Sequence, residues 1–264
     1  MITTPPAPII SSEVLTRLDV SGPRYTSYPT ADRFVEAFGP AQHRQALAQR
    51  GEGAGAVAGG AVPLSLYVHI PFCESVCYYC ACNKVITKHH DRATEYLQAL
   101  RTEVQLVIDQ IGRGQAVSQL HLGGGSPTFL SDDELEGLLA MLQDAFRFVP
   151  GGEYAIEVDP RTVDAARLKR LASMGFNRLS FGVQDFDPKV QEAVNRIQSV
   201  RETFDAVDAA RTNGFKSINI DLIYGLPYQT VDSFAVTLEK VLELSPDRLS
   251  VFNYAHMPHL FKVQ

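Results

Sequence analysis

An α/β fold built as a partial (β/α)6 barrel is predicted by three features of the sequence. From residue 64 onward, short apolar-rich runs alternate with longer stretches of helical period, six times over. Strands alternating with helices argue for a parallel sheet. The strand runs themselves alternate apolar with polar residues, so each strand has one polar face. A doubly wound sheet, covered on both faces, would be apolar throughout. Six units are also fewer than the eight of a complete barrel, which leaves an opening for a ligand or another chain segment. The nicotinamide-type sheet is the alternative, but no G-x-G-x-x-G follows any strand run.

The elements follow in order. Residues 1–40 are irregular and turn-rich, with a short helix over 40–50. Residues 51–62 are mostly Gly and Ala and are expected to form a flexible loop. Residues 1–62 are therefore assigned to an N-terminal extension and 63–264 to the barrel core. Strands are expected at 64–70, 119–122, 154–158, 178–181, 217–222 and 248–252. On their polar face lie Tyr67 and His69, His121 and Gly123, Glu157 and Asp159, Ser180 and Gly182, and Asn219 and Asp221. Asp91 is expected to cap a helix carrying Leu97, Leu100, Val104, Val107, Ile108 and Ile111 at helical spacing. Ser131 and Glu134 have the spacing of a capping box before Leu135, Leu138, Leu139 and Leu142. Leu168, Leu171 and Met174 run to Gly175, and Val200, Phe204 and Val207 run to Gly214, each glycine in the position that ends a helix. Thr230 precedes Phe234, Leu238, Val241 and Leu242, with Pro246 as the stop.

The chain has 264 residues, 45% of them hydrophobic and 20% charged, which is ordinary globular composition with enough length for a large core. A formal net charge of −6 argues against non-specific nucleic-acid binding. No apolar stretch approaches ~20 residues, so no membrane span is expected. The first twenty residues lack a basic segment followed by an apolar run and do not read as a signal peptide. The expectation is a cytoplasmic monomer without nucleic-acid or membrane partners.

All four cysteines, Cys73, Cys77, Cys80 and Cys82, fall within HIPFCESVCYYCACN, directly after the first strand. Disulfides there would close loops of a few residues and constrain almost nothing. Metal binding or thiol redox chemistry remains. Three thiolates on one loop can hold three corners of a [4Fe–4S] cube and leave one iron open. Zinc is the alternative, although structural zinc ligands usually come as two separated pairs.

Cys73-x3-Cys77-x2-Cys80, with Tyr79 before the third cysteine, resembles the signature of the radical S-adenosylmethionine (SAM) superfamily. Together with Cys82-Asn83, GPRYTSYPTA (22–31), GGGSPT (123–128), IEVDP (156–160), GVQDF (182–186) and NIDLIYGLP (219–227), the sequence is similar to the oxygen-independent coproporphyrinogen III oxidases (dehydrogenases). The resemblance spans nearly all of residues 20–264.

That resemblance implies a radical SAM barrel with a [4Fe–4S] cluster on Cys73, Cys77 and Cys80. It implies reductive cleavage of SAM to a 5′-deoxyadenosyl radical. Two propionates of coproporphyrinogen III would become vinyl groups, giving protoporphyrinogen IX in haem synthesis, with electrons exchanged with an unidentified donor. Tyr67, Tyr79, Gly124 and Glu157 would contact a first SAM. Gly125, Ser126, Gln184, Arg196, Asp221 and Ala255 would contact a second. Cys82 would face substrate as a catalytic candidate and not ligate the cluster. The family continues with a helical domain that this sequence lacks, so the expectation is a chain that binds the cluster yet turns over porphyrinogen poorly alone, or an inactive fragment. A haem chaperone on the same barrel is the other functional alternative; such relatives typically lack Cys82 and the GPRYTSYPTA entry segment.

Overall fold

The computed structural model describes residues 10–20, 29–49, 62–259, 262 and 264. Most of GPRYTSYPTA and all but the last residue of the Gly/Ala-rich stretch lie outside the described residues. The chain divides into two units, Met1–Glu52 and Gly53–Gln264. In the first, helix α1 (Ser12–Leu18) corrects the irregular reading of residues 1–40: it starts at Ser11, whose side chain accepts from the Val14 amide, and helix α2 covers Pro40–Gln49 as expected. Neither helix has a buried residue.

The second unit begins with strand β1 (Leu64–Ile70), then a two-residue strand β2 (Phe72–Cys73) paired in parallel with β3 (Val85–Ile86). After these come helix α3 (Asp91–Ile111), β4 (Ala116–Gly124), α4 (Asp132–Ala145), β5 (Arg147–Val158), α5 (Ala165–Ser173) and β6 (Arg178–Gln184). The short α6 (Pro188–Ala193), α7 (Val200–Thr212), β7 (Ser217–Tyr224), α8 (Val231–Leu244) and β8 (Arg248–Asn253) complete it. The main sheet has six strands in the order β1-β4-β5-β6-β7-β8, every neighbouring pair parallel. Strand order in the sheet thus equals chain order, and β1 and β8 are its two edges. This is the α/β partial barrel the alternation predicts.

Period two decides where the core lies. Val68 and Ile70, Leu120 and Leu122, Ile156 and Val158, Leu179 and Phe181, and Ile218 and Ile220 are all buried in one cluster with Ile108, Leu135, Leu142, Leu168, Leu171, Val207 and Val241 of the helices. The helices therefore cover the apolar face, and the intervening polar residues line the other. The capping box on α4 forms as its spacing predicts, with Ser131 and Glu134 each bonded to the other's backbone. A second box at Ser199 and Glu202 starts α7, and Thr230 caps α8. Gly175 (φ 101°) and Gly214 (φ 83°) follow α5 and α7 in the left-handed region. One expectation is corrected. Asp91 is the first residue inside α3, and His90, with no side-chain cap bond, precedes it. Asp91 still places a carboxylate in the first turn, where it favours the helix dipole.

Candidate functional site

The cysteine loop leaves the carboxyl end of β1 and is pinned on two sides. The Gly-rich turn after β4 approaches from one side: Gly125 N–H donates to Ile70 O (2.8 Å) and Ser126 N–H to Phe72 O (2.8 Å). A Cβ at Gly125 would lie 2.7 Å from the Pro71 and Phe72 carbonyl oxygens, so only glycine permits this approach. The end of α6 holds the other side. Tyr78 N–H donates to Val194 O (2.9 Å) and Asn195 Nδ2 to Val76 O (2.7 Å). Tyr79 packs with Val190, Val194, Ile223 and Leu226. Cys73, Cys77 and Cys80 are half-buried, and Cys82 is exposed.

The thiols differ electrostatically. Burial, with Cys80 and Cys77 adding to it, pushes Cys73 up to about 11. The Cys82 thiol's hydrogen bond, assisted by Lys84, outweighs burial and holds Cys80 at about 6, while Cys82 is pushed up in return. Among the described residues, no group of three or more His, Cys, Asp or Glu side chains is placed to hold a metal ion. A cluster makes a different demand, because each thiolate binds its own iron and the sulfurs need not converge on one point. Three half-buried sulfur donors on one loop, with Arg196 on Cys77 and Lys84 on the Cys80 carbonyl, fit that donor set.

The inward face of the sheet carries two polar networks. In the first, Tyr67 OH bonds His69 Nδ1 (3.0 Å), His69 Nε2 bonds Asn83 O (2.8 Å), and the Tyr67 ring stacks on His121 (centroids 5.8 Å). His121 Nε2 bonds Glu157 Oε1 (2.9 Å), whose Oε2 accepts Gly124 N–H (3.1 Å). The Gly-rich turn, Glu157 and Tyr67 are thereby joined. In the second, Asp221 accepts from Ser180 Oγ (3.0 Å) and Asn219 Nδ2 (2.7 Å), and Asn219 reaches Ser250 on β8 (3.0 Å). Burial raises Asp221 above the usual carboxylate range despite these bonds.

Between the networks lies Arg196, 8% exposed. Its guanidinium donates to Gly182 O (2.6 Å from Nη2), Asp159 Oδ2 (3.2 Å) and Cys77 Sγ (3.7 Å). Burial alone would lower Arg196, but Tyr79, Asp159 and Cys77 hold it above its ordinary value. Burial pushes Asp159 up, and Arg196 and Arg161 together outweigh that and hold it below the usual range. Gln184 ends β6 at φ 69°, beside a break in register. A Cβ on Gly182 would lie 3.0 Å from both Gln184 Nε2 and Arg196 Nη2, so these two side chains flank it. Ser126 Oγ bonds Thr128 Oγ1 (3.3 Å). Ala255 lies past β8, and its carbonyl accepts from Gln264 (3.2 Å).

The structure thus places twelve of the fourteen residues singled out from sequence on the sheet strands, the cysteine loop or the Gly-rich turn; Arg196 joins them through Gly182, Asp159 and Cys77, and Ala255 is not brought into contact with the others. Sequence reasoning placed Asp159 on the polar strand face without a partner, and missed Arg161 altogether. Asp159 caps a short turn, accepting from Arg161 N–H (3.1 Å). Its bond to Arg196, 37 positions away, carries no local signal.

Comparison with known proteins agrees with this fold. The oxygen-independent coproporphyrinogen III oxidase of Pseudomonas aeruginosa is 52% identical over 255 residues, which cover 96% of this chain and 54% of that protein. The protein of the same description from Escherichia coli is 49% identical, over 95% of this chain and 53% of its own. The solved structure of coproporphyrinogen III oxidase from Escherichia coli, described as a radical SAM enzyme, superposes with a TM-score of 0.82 at 49% identity, covering 91% of this chain and 53% of that one. The chain spans about half the length of the curated relatives it matches. The model of the radical SAM superfamily matches residues 67–241, from the inward-facing Tyr67 through the cysteine loop to α8, and the chain belongs to that superfamily.

Proposed function

We propose that this chain is the radical SAM barrel of an oxygen-independent coproporphyrinogen III oxidase. In this reading it takes part in the oxidative decarboxylation of two propionates of coproporphyrinogen III to vinyl groups. The observation that carries the reading is the three-cysteine loop held against a polar barrel interior, in a chain 49–52% identical to proteins of that description. Cys73, Cys77 and Cys80 would hold a [4Fe–4S] cluster. With SAM bound, that cluster supplies one electron for cleavage of the sulfonium and so a carbon-centred radical able to take hydrogen from an unactivated carbon.

The chain's own residues do the positioning. The Gly-rich turn brings backbone N–H groups beside the loop, and the Glu157 carboxylate, shared between His121 and Gly124 N–H, is suited to an ammonium or to ribose hydroxyls. Tyr67 and Tyr79 offer aromatic surface to a nucleoside. Ser126, Gln184, Arg196 and Asp221, with Gly125 and Ala255, would line a second SAM position. Cys82, exposed at the loop's end, would face the porphyrinogen. The partners in this reading are coproporphyrinogen III and a low-potential electron donor. A cytoplasmic monomer is part of the proposal, and no helix among the described residues is long and apolar enough to cross a membrane.

Anaerobic reconstitution with iron and sulfide, followed by assay for 5′-deoxyadenosine and for vinyl products, tests the reading. A brown, dithionite-bleachable protein with about four irons per chain and SAM cleavage supports it, since a [4Fe–4S] cluster carries that complement. A colourless protein carrying one zinc sinks it. Haem binding without SAM cleavage would favour the chaperone.

A further inference from the structure

Cys77 has a neighbour that the cysteine loop does not supply. Arg196 Nη1 lies 3.7 Å from Cys77 Sγ, and the same nitrogen donates to Asp159 Oδ2 at 3.2 Å. The other side of the guanidinium is fixed on Gly182 O. Asp159 is gripped in turn by Arg161, with Nη2 2.6 Å from Oδ2 and Nε 3.0 Å from Oδ1. Side-chain exposure rises along the series, from 10% at Arg196 and 12% at Asp159 to 25% at Arg161. Its outer end, Arg161, lines an open groove of about 550 Å³.

Two guanidiniums and one carboxylate make a unit of net charge +1, in a chain of net charge −6, with its inner end against a thiol. A fixed cation in a low-dielectric site favours whichever neighbouring state carries more negative charge. Hydrogen bonds to sulfur and local net charge are among the factors that set an iron–sulfur potential. Arg161 makes no hydrogen bond to the loop sulfurs; its charge is felt directly at Cys77, and its hydrogen bonds reach the loop through Asp159. A fork on Asp159 leaves less of that carboxylate's charge to offset Arg196.

We infer that Arg161 is a positioning residue which, through Asp159, orients Arg196 at Cys77 and sets the reduction potential of the cluster on this loop. The inference rests on the reading that Cys73, Cys77 and Cys80 carry a [4Fe–4S] cluster. The electron step is a one-electron uptake by the cluster from a low-potential donor, with no proton moved. A merely structural ion triad would stabilise the fold and leave the potential alone.

The test uses the full chain, reconstituted anaerobically without SAM and titrated with dithionite and redox mediators, with the reduced cluster read by electron paramagnetic resonance. Arg161→Met keeps the stem and removes the charge, and Arg161→Lys keeps the charge and loses the fork. With equal iron content, Arg161→Met is expected to lower the reduced-to-oxidised ratio at fixed potential about tenfold, about 59 mV for one electron. Arg161→Lys is expected to recover most of it. Equal midpoints for Arg161→Met and the unaltered chain would overturn the inference while leaving the cluster reading intact. If Arg161→Met fails to fold, Arg161→Gln against Arg161→Lys makes the same comparison, neutral below charged, and equal midpoints there also overturn it. A chain that takes up no iron removes the reading and the inference together.

Discussion

Asp221 is a carboxylate whose charged form burial disfavours. It faces the barrel interior, hydrogen-bonded to Ser180 and Asn219, and burial raises it above the usual range with Glu157 adding to the rise. A carboxylate raised in the folded state is favourable when protonated, so the stability it grants below the ordinary carboxylate range is lost as pH climbs through its folded value. Asp221→Asn is therefore expected to raise the melting temperature at pH 7, with the gain vanishing near pH 3, as scanning calorimetry at both values would show. An unchanged melting temperature at pH 7 would count against the burial cost. Gln184 is a second residue held against its preference, at φ 69° without being glycine. Gln184→Gly should stabilise the fold by about 1 kcal/mol, measurable by urea denaturation, because the left-handed region costs an L side chain about that much. Inward-facing residues such as Glu157 and Asp221 were legible in the sequence because period two on a strand assigns faces without any tertiary knowledge. Arg161 was not, because Asp-Pro-Arg reads as a turn and nothing local shows its carboxylate bound to a distant guanidinium.

The elements show the same division. Five of the six main strands were legible from alternation, and α4, α5, α7 and α8 from capping residues and spacing, because those signals live within a few residues of each other. β1 matches its reading, and the other five strands run longer, β5 most of all, since its Arg147–Val158 span includes Pro150 and Gly151-Gly152, which interrupt the period. The two-residue strands β2 and β3 are too short for any periodicity, and α6, at 6 residues, has little more. The Gly-rich turn is the element on which the site most depends. At Gly124, φ is 117° and a Cβ would stand 2.7 Å from the His69 ring. Gly124→Ala is expected to destabilise the fold by ~1–3 kcal/mol and to displace His69, read by chemical denaturation and by the His69 ring resonances. On α4, Ser131→Ala removes the bond to Glu134 N–H and should cost ~1 kcal/mol in the same denaturation experiment.

At the scale of the molecule, one apolar layer between sheet and helices supports everything above it. Phe181 is fully buried at its centre, on the strand that also carries Ser180, Gly182 and Gln184. Phe181→Ala should cost ~3–5 kcal/mol and lower cysteine protection along with global stability, since the strand end that holds Arg196 through Gly182 would shift. A loss below 1 kcal/mol would show that the layer is not continuous there. The sheet's order has its own consequence for synthesis. Because each strand pairs with the one translated just before it, the cysteines leave the ribosome ahead of the residues that shelter them. At ~5–20 residues per second, the segment bearing Arg196 emerges on the order of ten seconds later. For that interval the Cys77 sulfur lacks its Arg196 partner. Stalled chains ending before β6 should accordingly be alkylated faster at Cys77 than chains completed through β8.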